Sequence, residues 1–141
     1  MRYWSTPPHT DLRQTREWLA RMIDASPETS DDFVVEYRGQ VIGKAGCWRV
    51  PEVGFILHSA FWGRGLAVEA LSAVIERTFA SFPIYAIEAD VDPRNLASLG
   101  LLTRLGFREF RRAERTVKVG DDWCDSVYLS LQRPVGVVRP K

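Results

Sequence analysis

From Leu66 onward the chain repeats apolar residues at steps of three and four: Leu66, Ala67, Ala70, Leu71, Val74, Ile75 and Phe79. That spacing draws one continuous apolar stripe along a helix, and Pro83 closes it. A second helical pattern runs from a cap at Thr10 or Asp11 to about Ala25, with Trp18, Leu19, Met22 and Ile23 on one face. Between them the pattern changes to extended runs. Residues 32–49 read as a hairpin turning at Arg38-Gly39-Gln40, Pro51 breaks the chain, and "EVGFILH" is a third strand. After Pro83, "IYAIEADV" predicts another strand. "NLASLGLLTRLG" then predicts a short helix with Leu99, Leu102 and Leu105 on one side and Gly106 as its stop. Two final strands turn at Gly120-Asp121-Asp122. Residues 1–10, with Pro7 and Pro8, read as an irregular lead-in, and 133–141 as a loose tail. Strands and helices intermixed, with hairpins at both ends, predict a mixed α/β sheet in one domain over residues 1–132.

Composition narrows the function classes. The 141 residues are 45% hydrophobic and carry a net charge of +1, enough for one buried core and too neutral for bulk attraction to nucleic acid or anionic membrane. No apolar run reaches transmembrane length and no secretory signal pattern opens the chain, so the expected location is the cytoplasm. Cys47 and Cys124 match no metal-ligand spacing and read as reduced thiols, with no metal expected.

Two stretches carry candidate chemistry. In "FWGRGLAVEA", a strand feeds a glycine-rich turn that opens a helix, which leaves several amide N–H groups unpaired at the positive end of the helix dipole. Gly63 and Gly65 would let an anion approach the backbone, and Arg64 adds a charge able to reach a phosphate. No Lys-Ser/Thr pair closes a Walker loop, and Val68 stands where a dinucleotide fingerprint requires glycine. An ordinary turn and a phosphate cradle both fit these residues. The second stretch starts at Asn95, the one asparagine of the chain, which follows a strand and opens a helix with Ser98 three residues on. A helix N-cap explains it without a ligand; polar groups aimed between two parting strands explain it with one.

"EVGFILHSAFWGRGLAVEAL" followed by "NLASLGLLTRLGF" resembles the GNAT superfamily of acetyl-CoA-dependent N-acetyltransferases, and within it the RimJ/RimL-type branch. The arginine-or-glutamine, two residues, glycine, one residue, glycine-or-alanine pattern falls on Trp62 to Ala67, with Trp62 departing from its first position. Asn95, Ser98, Gly106 and Phe107 match the second motif, and "GDDWCDSVYLSL" is similar to the branch's closing strand. The resemblance implies a central, mostly antiparallel twisted sheet with two splayed parallel strands, flanked by helices. It also implies that the family's first strand and helix are missing here, which would leave a sheet edge open to a homodimer contact.

The resemblance further implies where acetyl-CoA binds. The pantetheine arm would lie between strands 52–58 and 84–91, against the backbone of Phe55, Ile56 and Leu57. The pyrophosphate would rest on the amides of Gly63, Arg64, Gly65, Leu66 and Ala67, with Arg64 and Arg104 near phosphates and Asn95 near the pantetheine. The acceptor is expected to be a small-molecule amine or a protein N-terminus. Glu52 is the expected base, acting through water, and Glu88 the second choice; Glu52 reads equally as a solvated strand end after Pro51. Leu102 stands where many members carry an acidic tyrosine, so Ser98 is the expected acid for the departing thiolate. A backbone N–H near Ile56 or Leu57 would face the developing oxyanion. His58 reads as a turn residue or an acceptor contact, and Trp123 and Asp125 lie where an acceptor cleft is expected. Arg108, Arg111, Arg112 and Arg115 read as a solvated basic face or a site for an acidic acceptor. Transfer is expected to be direct, with neither cysteine involved. The alternatives are an inactive acyl-CoA-binding module and an interaction domain using the open edge.

Overall fold

The structure, a computed structural model, describes residues 7–135. The elements follow in the order α1 (Leu12–Asp24), β1 (Asp31–Tyr37), β2 (Gln40–Arg49), β3 (Glu52–Leu57), α2 (Leu66–Ser81), β4 (Ala86–Val91), α3 (Leu96–Arg104), β5 (Arg108–Val119) and β6 (Asp122–Gln132). They form one six-stranded sheet of order β1-β2-β3-β4-β6-β5. Only β3 and β4 run parallel; every other neighbouring pair is antiparallel. The mixed, mostly antiparallel sheet read from the sequence is therefore the observed fold. Of the lead-in, residues 1–6 lie outside the described residues, as do 136–141 of the tail.

Each boundary has a local cause. The Asp11 carboxylate accepts the Gln14 N–H at 2.9 Å and caps α1. Arg38 and Gly39 both take positive φ, 50° and 79°, which gives the β1–β2 hairpin the twist its two-residue turn needs. Helix α2 buries Leu71, Val74, Thr78 and Phe79, and α3 buries Leu102; both meet the alternating inward residues Ile87, Ala89 and Val91 of β4.

Three details differ from the pattern-based expectation. Ile23, placed on the inner face of α1, is 80% exposed, and α1 has no fully buried residue. That helix meets the sheet through an ion: Lys44, 6% exposed in β2, pairs with Asp32, and its ammonium lies 5.4 Å from the Trp18 ring centroid. The tail is not loose at its start. The Arg133 guanidinium donates to the carbonyls of Phe79 (2.7 Å), Phe82 (2.6 Å) and Ile84 (2.8 Å), and its amide donates to Tyr85 O at 2.6 Å. One cation thus satisfies carbonyls left open where α2 ends.

Candidate active site

Strands β3 and β4 meet at a single register pair, Glu52 with Glu88, where Glu88 N–H donates to Pro51 O at 2.9 Å. Beyond that pair they part. Strand alternation then decides which backbone groups line the gap. His58 N–H donates to Ile42 O at 2.7 Å, and the pairs Lys44–Ile56 and Gly46–Gly54 follow at two-residue steps. Those residues spend their amides on β2, so the backbone groups of Phe55 and Leu57 face the gap. This differs from the expectation for Ile56, whose N–H and C=O turn toward β2, while the backbone of Phe55 and Leu57 turns toward the gap.

A 3₁₀ turn, Ser59–Phe61, carries the chain from β3 to α2, and His58 Nδ1 caps it by accepting the Ala60 N–H at 3.1 Å. His58 is a turn residue. The Trp62 indole N–H donates to Leu57 O at 2.7 Å. Gly63 and Gly65 follow with φ of 70° and 77°, and a Cβ built on either would meet nothing within 4 Å. Gly65 is the N-cap of α2 and supplies no side-chain cap, so the amides of Leu66, Ala67 and Val68 open onto that space. The Arg64 guanidinium lies elsewhere, over the Tyr37 and Phe61 rings at 5.2 and 5.7 Å, with Nη2 3.4 Å from the Tyr37 hydroxyl.

Across the gap, Asn95 Oδ1 accepts the Ser98 N–H at 3.2 Å and caps α3, so the capping explanation holds for its oxygen and leaves the amide NH₂ for other partners. The preceding loop is braced by Arg94, whose guanidinium grips Asp92 at 2.6 Å and reaches Cys124 Sγ at 3.5 Å. That arginine holds the Asp92 carboxyl below its ordinary range. Ser98 Oγ has no hydrogen-bond partner among the described residues. Arg104 ends α3, nine residues past the cap.

Glu52 sits on the other face. Its neighbours Val53, Ile87 and Ala89 point toward the helices, whereas Glu52, Glu88 and Asp90 alternate to the face that α2 and α3 do not cover. Partial burial pushes the Glu52 carboxyl above its ordinary value, reinforced by Asp90 and Glu88 and opposed by a Trp48 hydrogen bond and by Arg49, 3.7 Å away. Cys47 is fully buried against Thr78, and burial pushes its thiol up to about 11. Both cysteines are free, and Leu102 is fully buried in the core. On β5, Arg111 stacks over Tyr128 at 4.3 Å, Arg115 over Trp123 at 5.3 Å, and Arg112 pairs with Glu109. Asp125 accepts the Arg115 N–H at 2.8 Å. Among the described residues no helix is long and apolar enough to cross a membrane, and no group of three acidic, His or Cys side chains is arranged to hold a metal.

A parting parallel pair with unpaired helix amides at its mouth is the arrangement of an acyltransferase of the GNAT type. The same fold recurs in spermidine N-acetyltransferase from Vibrio cholerae, solved with CoA and spermine. It is 18% identical with a TM-score of 0.74, over 92% of this chain and 80% of that one. The family model for the acetyltransferase (GNAT) domain matches residues 1–108. The chain is 32% identical over 125 residues to an uncharacterized N-acetyltransferase, p20, of Bacillus licheniformis, covering 76% of this chain and 70% of that protein. It is 34% identical over 140 residues to the L-methionine sulfoximine/L-methionine sulfone acetyltransferase of Pseudomonas aeruginosa, covering 91% and 77%. The chain belongs to the GNAT family of N-acetyltransferases.

Proposed function

We propose that this protein transfers the acetyl group of acetyl-CoA directly to a primary amine, with the cofactor in the β3–β4 gap and the amine approaching from the opposite face. The observation that carries this is the gap itself: β3 and β4 pair once and part, leaving the Phe55 backbone and the Leu57 N–H unspent beside the open amides at Gly65, while Leu57 O accepts the Trp62 indole. The pantetheine would pair with that backbone as an added strand. The pyrophosphate would lie on the amides of Gly63 through Ala67, where the helix dipole and the absence of Cβ atoms favour it. Arg64 contributes its amide there, and its guanidinium would need to leave the Tyr37 ring to reach a phosphate.

The acceptor amine is protonated in water and must lose a proton before it has a lone pair to attack with. Glu52 is the base, acting through a water, because its carboxyl stands on the acceptor face with its proton affinity already raised. The nitrogen then bonds to the acetyl carbon, the Phe55 or Leu57 N–H stabilises the carbonyl oxygen, the attacking nitrogen loses its surplus proton to water, and the C–S bond breaks to release the thiolate. Ser98, whose hydroxyl is uncommitted, assists the departing sulfur. The three carboxylates Glu52, Glu88 and Asp90 on the acceptor face suit a cationic amine. The acetylated amines named for the relatives, an amino-acid analogue and a polyamine, fit that class. A second reading, a module that binds acyl-CoA without turnover, is favoured by one residue: Leu102, core-buried where many members place a phenol.

The test is calorimetric binding of acetyl-CoA, followed by an amine panel of polyamines, amino acids and N-terminal peptides with a free-thiol readout. Amine-dependent thiol release supports transfer. Binding with no release on any amine supports the module, and no binding sinks both. Sedimentation of the same sample tests the expected dimer.

A further inference from the structure

Trp62 occupies the first variable position of the glycine loop and is 67% exposed, which is an odd place for an indole whose purpose is packing. Its one polar atom is nevertheless committed, donating to Leu57 O at 2.7 Å. Leu57 is the last residue of β3, and its backbone groups face the gap. That contact therefore joins the loop that holds Gly63 and Gly65 to the end of the strand that lines the gap.

We propose that Trp62 is a positioning residue: its indole N–H clamps the glycine loop to Leu57 and so sets the loop amides where they meet the cofactor's pyrophosphate. The proposal rests on the β3–β4 gap being the cofactor cleft. Two glycines in left-handed conformation make the loop permissive, and the Arg64 contact with Tyr37 leads to β1 and not to the strand that lines the gap. The backbone anchors available are Trp62 N–H to Ser59 O at 3.2 Å and Phe61 N–H to His58 O at 2.9 Å, both within the 3₁₀ turn. Among the described residues, only the indole bond ties that turn back to β3. A carbonyl has two lone pairs, so Leu57 O accepts the indole and still has capacity toward the gap.

The experiment compares the wild type with Trp62→Phe, which keeps an aromatic ring and loses the donor, and Trp62→Gln, which loses the ring and keeps a donor. Calorimetry measures Kd for CoA and for ADP, the latter engaging the loop without the pantetheine arm. Trp62→Phe is expected to weaken both ligands by the same factor, roughly fivefold, the loss of one net hydrogen bond. Trp62→Gln is expected to restore most of it. Unchanged binding in Trp62→Phe overturns the clamp. Tighter CoA binding with unchanged ADP binding overturns it too, because the indole would then be competing with the pantetheine for Leu57 O. Equal loss in both variants, tracking a fall in Tm, assigns Trp62 to stability alone. Failure of the wild type to bind CoA would instead refute the cofactor reading beneath it.

Discussion

Replacing Gly65 probes the cradle most directly. The residue caps α2 at φ 77°, and a Cβ there meets no atom within 4 Å. In Gly65→Val the Cβ itself meets no neighbour, and the left-handed backbone costs at least ~1–2 kcal/mol, or roughly 3–8 °C in Tm. The branched side chain would project into the space where the amides of Leu66 and Ala67 open. Each hydrogen bond from an amide to a charged oxygen contributes ~1.5–3 kcal/mol. Losing one raises Kd for CoA by roughly 10- to 100-fold. Gly65→Ala separates the two effects, since it carries a left-handed penalty without β-branching and with far less bulk. Its Tm should fall less than that of Gly65→Val, and its Kd should rise much less. Thermal denaturation and calorimetry on both variants supply the numbers. A folded Gly65→Val that binds CoA with the wild-type Kd would show that the loop is a turn and nothing more.

Other consequences follow from single groups. Because the folded Glu52 carboxyl holds its proton more tightly than the unfolded one, ionising it costs stability as pH rises through the raised value. Glu52→Gln should thus raise Tm at neutral pH while lowering kcat by ~10²-fold or more and removing the acidic limb of the pH–rate profile; a retained limb would reassign the base to Glu88. Ser98→Ala should lower kcat by roughly 10²-fold at unchanged Kd for CoA, and an unchanged kcat would remove Ser98 from the mechanism. Cys47→Ala combined with Cys124→Ser should keep amine-dependent thiol release, whereas its complete loss in a folded protein would contradict direct transfer. Arg133→Ala should destabilise by roughly 2–4 kcal/mol through three stranded carbonyls, read from denaturant unfolding; a loss under ~1 kcal/mol would mean that water replaces the guanidinium.

Much of this protein is written in neighbouring residues. The stripe from Leu66 to Phe79 and the Arg38-Gly39 turn depend on spacing of a few positions and formed as read, as did a cap at Asp11, one of two candidates, and the N-cap at Asn95. So did the pairing of a glycine loop with a capped helix downstream, which carried the family resemblance. What the tertiary structure decided is which groups those elements leave unspent. Ile56 sits between Phe55 and Leu57 in the same apolar run, yet alternation against β2 turns its amide from the gap while theirs face it. Glu52 acquires its raised proton affinity from partial burial in the folded sheet, reinforced by Asp90 and Glu88 on a strand thirty-odd positions later in the chain. Lys44 and Asp32 look like solvated charges until α1 seals them, and Arg133 looks like tail until the end of α2 needs a donor. Periodicity and turn chemistry act over one helical turn or one pleat, and so can be read from the chain. A desolvated charge or a bond closed between distant segments leaves no period behind, because its energy exists only after the sheet has brought both partners together.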